Sequence, residues 1–125
     1  MIVSGIGDTT TSRNDPWLLE IQEMEGLKNL RAMSAGNIGG VWWLPQERSD
    51  RKRISELNRR GLGIQQAHFE GCARRGHANQ GPGVVVLAVE PEKANIIRLS
   101  MGMVNHLIIS EPLARRLQEL IEAAP

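Results

Sequence analysis

Three apolar runs stand out in the last third of the chain: Val84-Val-Val-Leu-Ala-Val89, Asn95-Ile-Ile-Arg-Leu-Ser100 and His106-Leu-Ile-Ile-Ser110. Each is short, rich in Val, Leu or Ile, and closed by turn-forming or polar residues, which is the pattern of β-strands. Val84 to Val89 is apolar at every position and predicts a strand covered on both faces. Glu90-Pro-Glu-Lys93 and Met101-Gly-Met-Val-Asn105 read as reversals, the first suiting an antiparallel connection, and Leu107 to Ile109 as a central or well-covered strand. Behind them Leu113, Leu117, Leu120 and Ile121 recur at helical spacing, so a helix is predicted over 112–123, capped by Ser110 or Glu111 and started by Pro112. Arg115 and Glu119, four apart, are placed to pair on its polar side.

The earlier pattern is less regular. Ile2, Val3 and Ile6 suggest an edge strand, followed by a polar loop from Asp8 to Ser12. Asn14-Asp15-Pro16 is a helix start, and Trp17, Leu18, Ile21 and Met24 support a helix from Pro16 to about Glu25. Gly26 interrupts it, and Leu27, Leu30 and Met33 predict a second helical piece ending near Ala35. Gly36 to Gly40 then reads as a flexible connector into a short strand, Val41-Trp-Trp-Leu44, ended by Pro45. In that strand Trp42 and Trp43 point to opposite faces, one into the core and the other exposed or covered by a partner. Ser49-Asp50 caps a helix over 51–60 with a narrow apolar stripe, Ile54 and Leu57, and Gly61 as its stop. A further helix is expected within Ile64 to Arg75, followed by a loop from Gly76 to Gly83.

The elements add up to an α+β fold in one domain, residues 1–125. It is a small antiparallel sheet of three C-terminal strands, plus one or two earlier short strands, packed by about four helices. Length permits one core, and 41% hydrophobic with 23% charged residues is ordinary for a folded domain. A single cysteine, Cys72, excludes an internal disulfide and suits a reducing compartment. No apolar run approaches a membrane span or a secretory leader, so a cytoplasmic protein with no membrane partner is expected.

Charge adds one feature. The chain carries a net +1, yet Glu47 to His77 holds eight basic residues against four acidic ones, leaving the remainder at −3. Such a segment attracts phosphate-bearing ligands or an acidic protein surface. The candidate ligand-binding residues are therefore Arg48, Arg51, Arg53, Arg59, Arg60, Arg74 and Arg75, with Trp43 beside them. Catalytic chemistry is weakly supported. His68 and Cys72 lie four apart on one expected helix, but buried cysteines usually act as small hydrophobes. His68, His77, His106 and Cys72 lack the paired short spacings of a metal site. Glu20, Glu23 and Glu25 suit a helix start rather than an acid–base pair. Arg59 falls where a helix-turn-helix around Gly63 needs a small residue. No catalytic residue, metal or cofactor is predicted.

The expected function is a non-enzymatic binding protein for an anionic ligand, nucleotide or nucleic acid, through residues 48–75. The alternative is an inhibitor or adaptor docking on an acidic protein through the same arginines and an exposed Trp. Within the C-terminal scaffold Arg98 and His106 are the polar exceptions, and an uncovered sheet edge leaves room for a homo-oligomer.

Overall fold

In the computed structural model, which describes residues 1–8, 20, 23, 30–39, 42–61 and 64–124, the apolar start of the chain is not an edge. Strand β1 (Ile2–Asp8) sits in the middle of a five-stranded sheet of order β3-β2-β1-β4-β5. Here β2 is Ser34–Ile38, β3 Trp42–Pro45, β4 Val84–Ala88 and β5 His106–Ile109. β1 pairs antiparallel with β2, and β2 with β3, whereas β1–β4 and β4–β5 are parallel. The sheet is mixed, which corrects the expectation of a purely antiparallel one.

The reason lies in Asn95 to Ser100. This run is a helix, α4 (Ala94–Ser100, after α1 to α3 described below), entered through a 3-10 turn at Pro91–Lys93. Its buried positions are Ala94, Ile96, Ile97 and Ser100, a helical rather than alternating set. An Ile-Ile doublet suits either element in a short run, and here it spans the sheet so that β5 returns parallel to β4. Glu90 to Lys93 is accordingly the start of a crossover, not a hairpin reversal. Arg98 projects from this helix, exposed, and its Nη2 donates to Asn95 Oδ1 at 3.1 Å.

Four helices of seven residues or more are present among the described residues. They are α2 (Arg51–Arg60), α3 (Gln66–His77), α4 and α5 (Glu111–Ala123). A helical turn, α1 (Leu30–Met33), precedes β2, so the expected helical piece ends two residues before Ala35. Glu20 and Glu23 are helical, and the rest of the helix expected over 16–25 lies outside the described residues. Gly36, Asn37 and Ile38 belong to β2 rather than to a connector. At Gly36, with φ +155°, a Cβ would collide with the Gly7 carbonyl of the adjacent strand, so the close pairing of β1 and β2 requires glycine.

Two apolar layers cover the sheet unequally. On the inner face Ile6, Ile38, Leu44, Val84, Val86 and Ala88 pack with Phe69 of α3, Ile96 and Ile97 of α4, and Leu113 and Leu117 of α5. On the outer face, among the described residues, the β3 end is covered, where Trp43 packs with Leu30, Met33, Ile54 and Leu57. Trp43 is therefore a core residue and not an exposed anchor; the Trp42 side chain lies outside the described residues. Asn58 joins α2 to the sheet edge. Its Oδ1 accepts from Trp43 N and its Nδ2 donates to Trp43 O, both at 2.8 Å, so a buried side chain supplies the partner that an edge strand lacks.

Asn105 ties α3 to the sheet in the same way. Its Oδ1 accepts from Val84 N at 2.7 Å and its Nδ2 donates to Ala73 O at 3.0 Å. A Cβ at Gly83, where φ is +76°, would overlap the Asn105 carboxamide, so the glycine permits the contact. Asn105→Ala leaves the amide of the buried Val84 without its Asn105 acceptor and removes a second bond to the Ala73 carbonyl, and is expected to cost roughly 1–3 kcal/mol, read from the urea midpoint.

Helix α5 starts one residue earlier than expected, with the Ser110 hydroxyl accepting from Leu113 N at 3.3 Å and donating to the Val89 carbonyl. Leu113 and Leu117 are buried and Leu120 half-buried, but Ile121 is exposed. The polar side pairs as Arg115–Glu111 and Arg116–Glu119 rather than Arg115–Glu119. Leu117→Asp places a carboxylate in the main core and is expected to abolish cooperative thermal unfolding or soluble expression, measured by circular dichroism of the purified variant.

Candidate ligand-binding clefts

The structure divides the arginine segment. The 3-10 turn Arg48–Asp50 follows β3, with the Glu47 amide donating to Asp50 Oδ2 at 3.2 Å; Asp50 thus holds the turn rather than capping α2 through its own side chain. Arg48 and Arg51 line a cleft of about 590 Å³ whose wall includes Trp43, Ile54, Gln66 and Leu99. Arg74 and Arg75, exposed on α3, line a second cleft of about 590 Å³ together with Met1, Ile2, His68 and Cys72. Arg53 leans on α1, its Nη1 3.7 Å from Met33 Sδ. Arg59 and Arg60 lie exposed in the last turn of α2. Neither of these clefts contains both arginine pairs.

His68 and Cys72 share α3 without forming a thiol–base pair. Cys72 is buried, and His68 Nδ1 accepts from the Gln65 amide at 2.9 Å, a reciprocal cap at the helix start. His77 Nε2 lies 3.5 Å from the Gly102 carbonyl, and His106 is exposed on β5. Among the described residues no three His, Cys, Asp or Glu side chains gather as a metal site.

A third locus has no counterpart in the sequence expectations. β1, β4 and β5 run parallel, and β3, two antiparallel steps from β1, runs the same way, so all four end on one side of the sheet. β2, the next strand after β1, lies on one flank and β5, the next after β4, on the other, so the strand order reverses between these two neighbours. Asp8, buried, closes β1 there. The 3-10 turn Pro91–Lys93 packs between β1 and α5, bringing Lys93 to the same end. Lys93 Nζ and Glu90 Oε2 are 2.9 Å apart. Asp8 opens what reads in sequence as a polar loop, and its one available signal was its place directly after an apolar strand.

The Lys93 ammonium, by hydrogen bond and by charge, holds the Glu90 carboxyl below its ordinary value of 4.5. A lowered folded-state pKa contributes stability above the unfolded value and loses it as pH falls through the folded one. Glu90→Gln is therefore expected to lower the melting temperature slightly at pH 7 and to have no effect once pH is below the carboxylate range, checked by melts across pH.

No family model and no curated protein sequence matches this chain. Two solved structures share its fold. A transcriptional regulator from Streptococcus pneumoniae TIGR4 superimposes with a TM-score of 0.68 at 20% identity, over 96% of this chain and 42% of its own length. A domain named as sugar-binding, from a transcriptional repressor of Vibrio fischeri, gives 0.57 at 22% identity, over 96% of this chain and 44% of its own. The chain thus spans less than half the length of either. Among the described residues no helix is long and apolar enough to cross a membrane.

Proposed function

We propose that this chain is a ligand-binding part of a transcriptional regulator, and that its ligand is a small phosphate-bearing sugar held at the carboxyl ends of β1 and β4. The observation that carries this reading is the reversal of strand order between β1 and β4, with Asp8 buried at the end of β1 and the turn that carries Lys93 packed against β1. In open α/β sheets the crevice outside such a reversal is the general ligand position, because the diverging connections leave a gap there. A carboxylate there accepts hydrogen bonds from vicinal hydroxyls, and the Lys93 ammonium, with one of its three donors on Glu90, has two left for a phosphate. The two fold neighbours, a transcriptional regulator and a domain named as sugar-binding, support the class of function.

The arginine segment enters this reading in part. Arg48 and Arg51 follow the end of β3, on the same side of the sheet, and are the arginines we assign to phosphate attraction. Arg74 and Arg75 border the start of β1, at the opposite end, and are not assigned to this ligand. A second reading, in which the exposed basic surface of α2 docks on a nucleic acid or an acidic protein, is favoured by Arg59 and Arg60 lying in its last turn. Trp43 has no part in either as an exposed group.

Thermal melts with inorganic phosphate, a hexose, a hexose 6-phosphate and a nucleoside triphosphate separate these readings. The hexose phosphate is expected to give the largest rise, several degrees at about 100 times its Kd. Asp8→Asn and Lys93→Ala are each expected to remove most of that rise. A shift produced by the nucleotide alone, or by none of the four, sinks the sugar-phosphate reading.

A further inference from the structure

Helix α3 carries two arginines that no acid answers. A Cβ placed on Gly71 would lie 3.5 Å from Arg75 Nη1 and 3.8 Å from Arg74 Nη2, so both guanidinium groups fold back over the same turn of the helix. Two like charges gathered over one turn repel each other, and an anion between them relieves the repulsion. Among the described residues neither arginine has an ion pair or a side-chain hydrogen bond. Glu70, one turn before Arg74 on the same helix, instead accepts from Gln66 Nε2 at 2.6 Å.

Gly71 itself calls for a reason, because a glycine inside a helix is less favourable than an alanine. Gly76, the other glycine of α3, is accounted for by the Asn105 carboxamide, which a Cβ there would overlap. At Gly71 only the two arginine tips come near, at ordinary contact distance, so packing does not exclude a side chain. What the glycine provides is close approach to the helix surface between the guanidinium groups.

The surroundings define what approaches. Gly71, Arg74 and Arg75 line the cleft of about 590 Å³ at the start of β1, within the size range of small-molecule sites, and no carboxylate lines it. Its apolar wall includes Met1, 76% exposed, and Ile64, 42% exposed, with Ile2 beside them. His68 also lines it; because its Nδ1 accepts from the Gln65 amide, the neutral ring carries its proton on Nε2, a third donor. Leu62 and Gly63, just before Ile64, are uncharged and offer the arginines no counter-ion. A bare inorganic ion would leave Met1 and Ile64 in water, and an uncharged apolar molecule would leave the guanidinium groups unpaired.

We propose that this cleft binds a small amphipathic anion, whose carboxylate or phosphate lies between Arg74 and Arg75 over Gly71 and whose apolar body covers Met1, Ile2 and Ile64. The cleft is at the opposite end of β1 from Asp8, so the site is separate from the sugar-phosphate position.

Calorimetric titration of the purified chain tests the site with octanoate and octyl phosphate, against acetate, inorganic phosphate and octyl glucoside as partial ligands, all below the micelle range. At least one octyl anion is expected to bind roughly tenfold or more tightly than any partial ligand. Arg74→Gln with Arg75→Gln is expected to weaken it roughly tenfold or more, whereas Arg59→Gln with Arg98→Gln, two exposed arginines elsewhere, does not. In amide NMR spectra the largest shifts are expected at Gly71, Arg74 and Arg75. Both cleft arginines are exposed, so their double variant is expected to keep the wild-type circular dichroism spectrum. If it unfolds, the two single variants replace it under the same criterion. No binding of either octyl anion, equal binding of octyl glucoside, binding indifferent to the folded glutamine variant, or shifts centred on Asp8 and Lys93 overturns the proposal.

Discussion

The parallel pairing of β4 with both its neighbours, β1 and β5, is the constraint from which the rest of the structure follows. Parallel neighbours cannot be joined by a tight turn, so the chain must cross the sheet between them. The crossover from β4 to β5 is α4, and with it come the burial of Ile96 and Ile97, the packing of α4 on α5 and the inner core. The antiparallel hairpin of β2 and β3 lies on the other flank of β1. One central strand thus separates two kinds of sheet, and the reversal at its border puts Asp8 and Lys93 at one end.

Side-chain carboxamides, Asn58 buried and Asn105 half-buried, hold this arrangement at the places where regular pairing stops. Asn58 supplies the hydrogen bonds that the edge strand β3 lacks, and Asn105 joins the end of α3 to the first amide of β4. Both are side chains satisfying backbone groups, for which an unmet bond costs more than a met one contributes. Asn105 also explains Gly83, whose lack of a side chain leaves room for it.

Covering of the sheet is uneven among the described residues. The inner face is closed by three helices, and the outer face is closed at the β3 end, where α2 lies on Trp43. The proposed ligand position lies at the strand ends, beside the inner core rather than within it.

Local chemistry made several elements legible in the sequence. Helix α2 was read with its observed bounds because its apolar stripe and Gly61 agree, and α5 to within one residue because Leu113 and Leu117 lie four apart behind a serine cap and a proline. β4 was evident from its apolar run. The position of β1 was not, since a strand's own residues do not say which neighbours it takes; only the assembled sheet made it central. Asn95 to Ser100 was misread because a short apolar run fits either period, and the need for a crossover decided it. The arginines were visible as a basic segment, but its folding into two helices sent Arg48 and Arg51 to one cleft and Arg74 and Arg75 to another. Asp8 gained a position of interest only from strand order. The sequence by itself determined β4 and the bounds of α2, and those of α5 to within one residue, because these depend on neighbours within a few positions. Tertiary structure alone decided the strand order and the crossover between β4 and β5, because these depend on pairings between residues far apart in the chain.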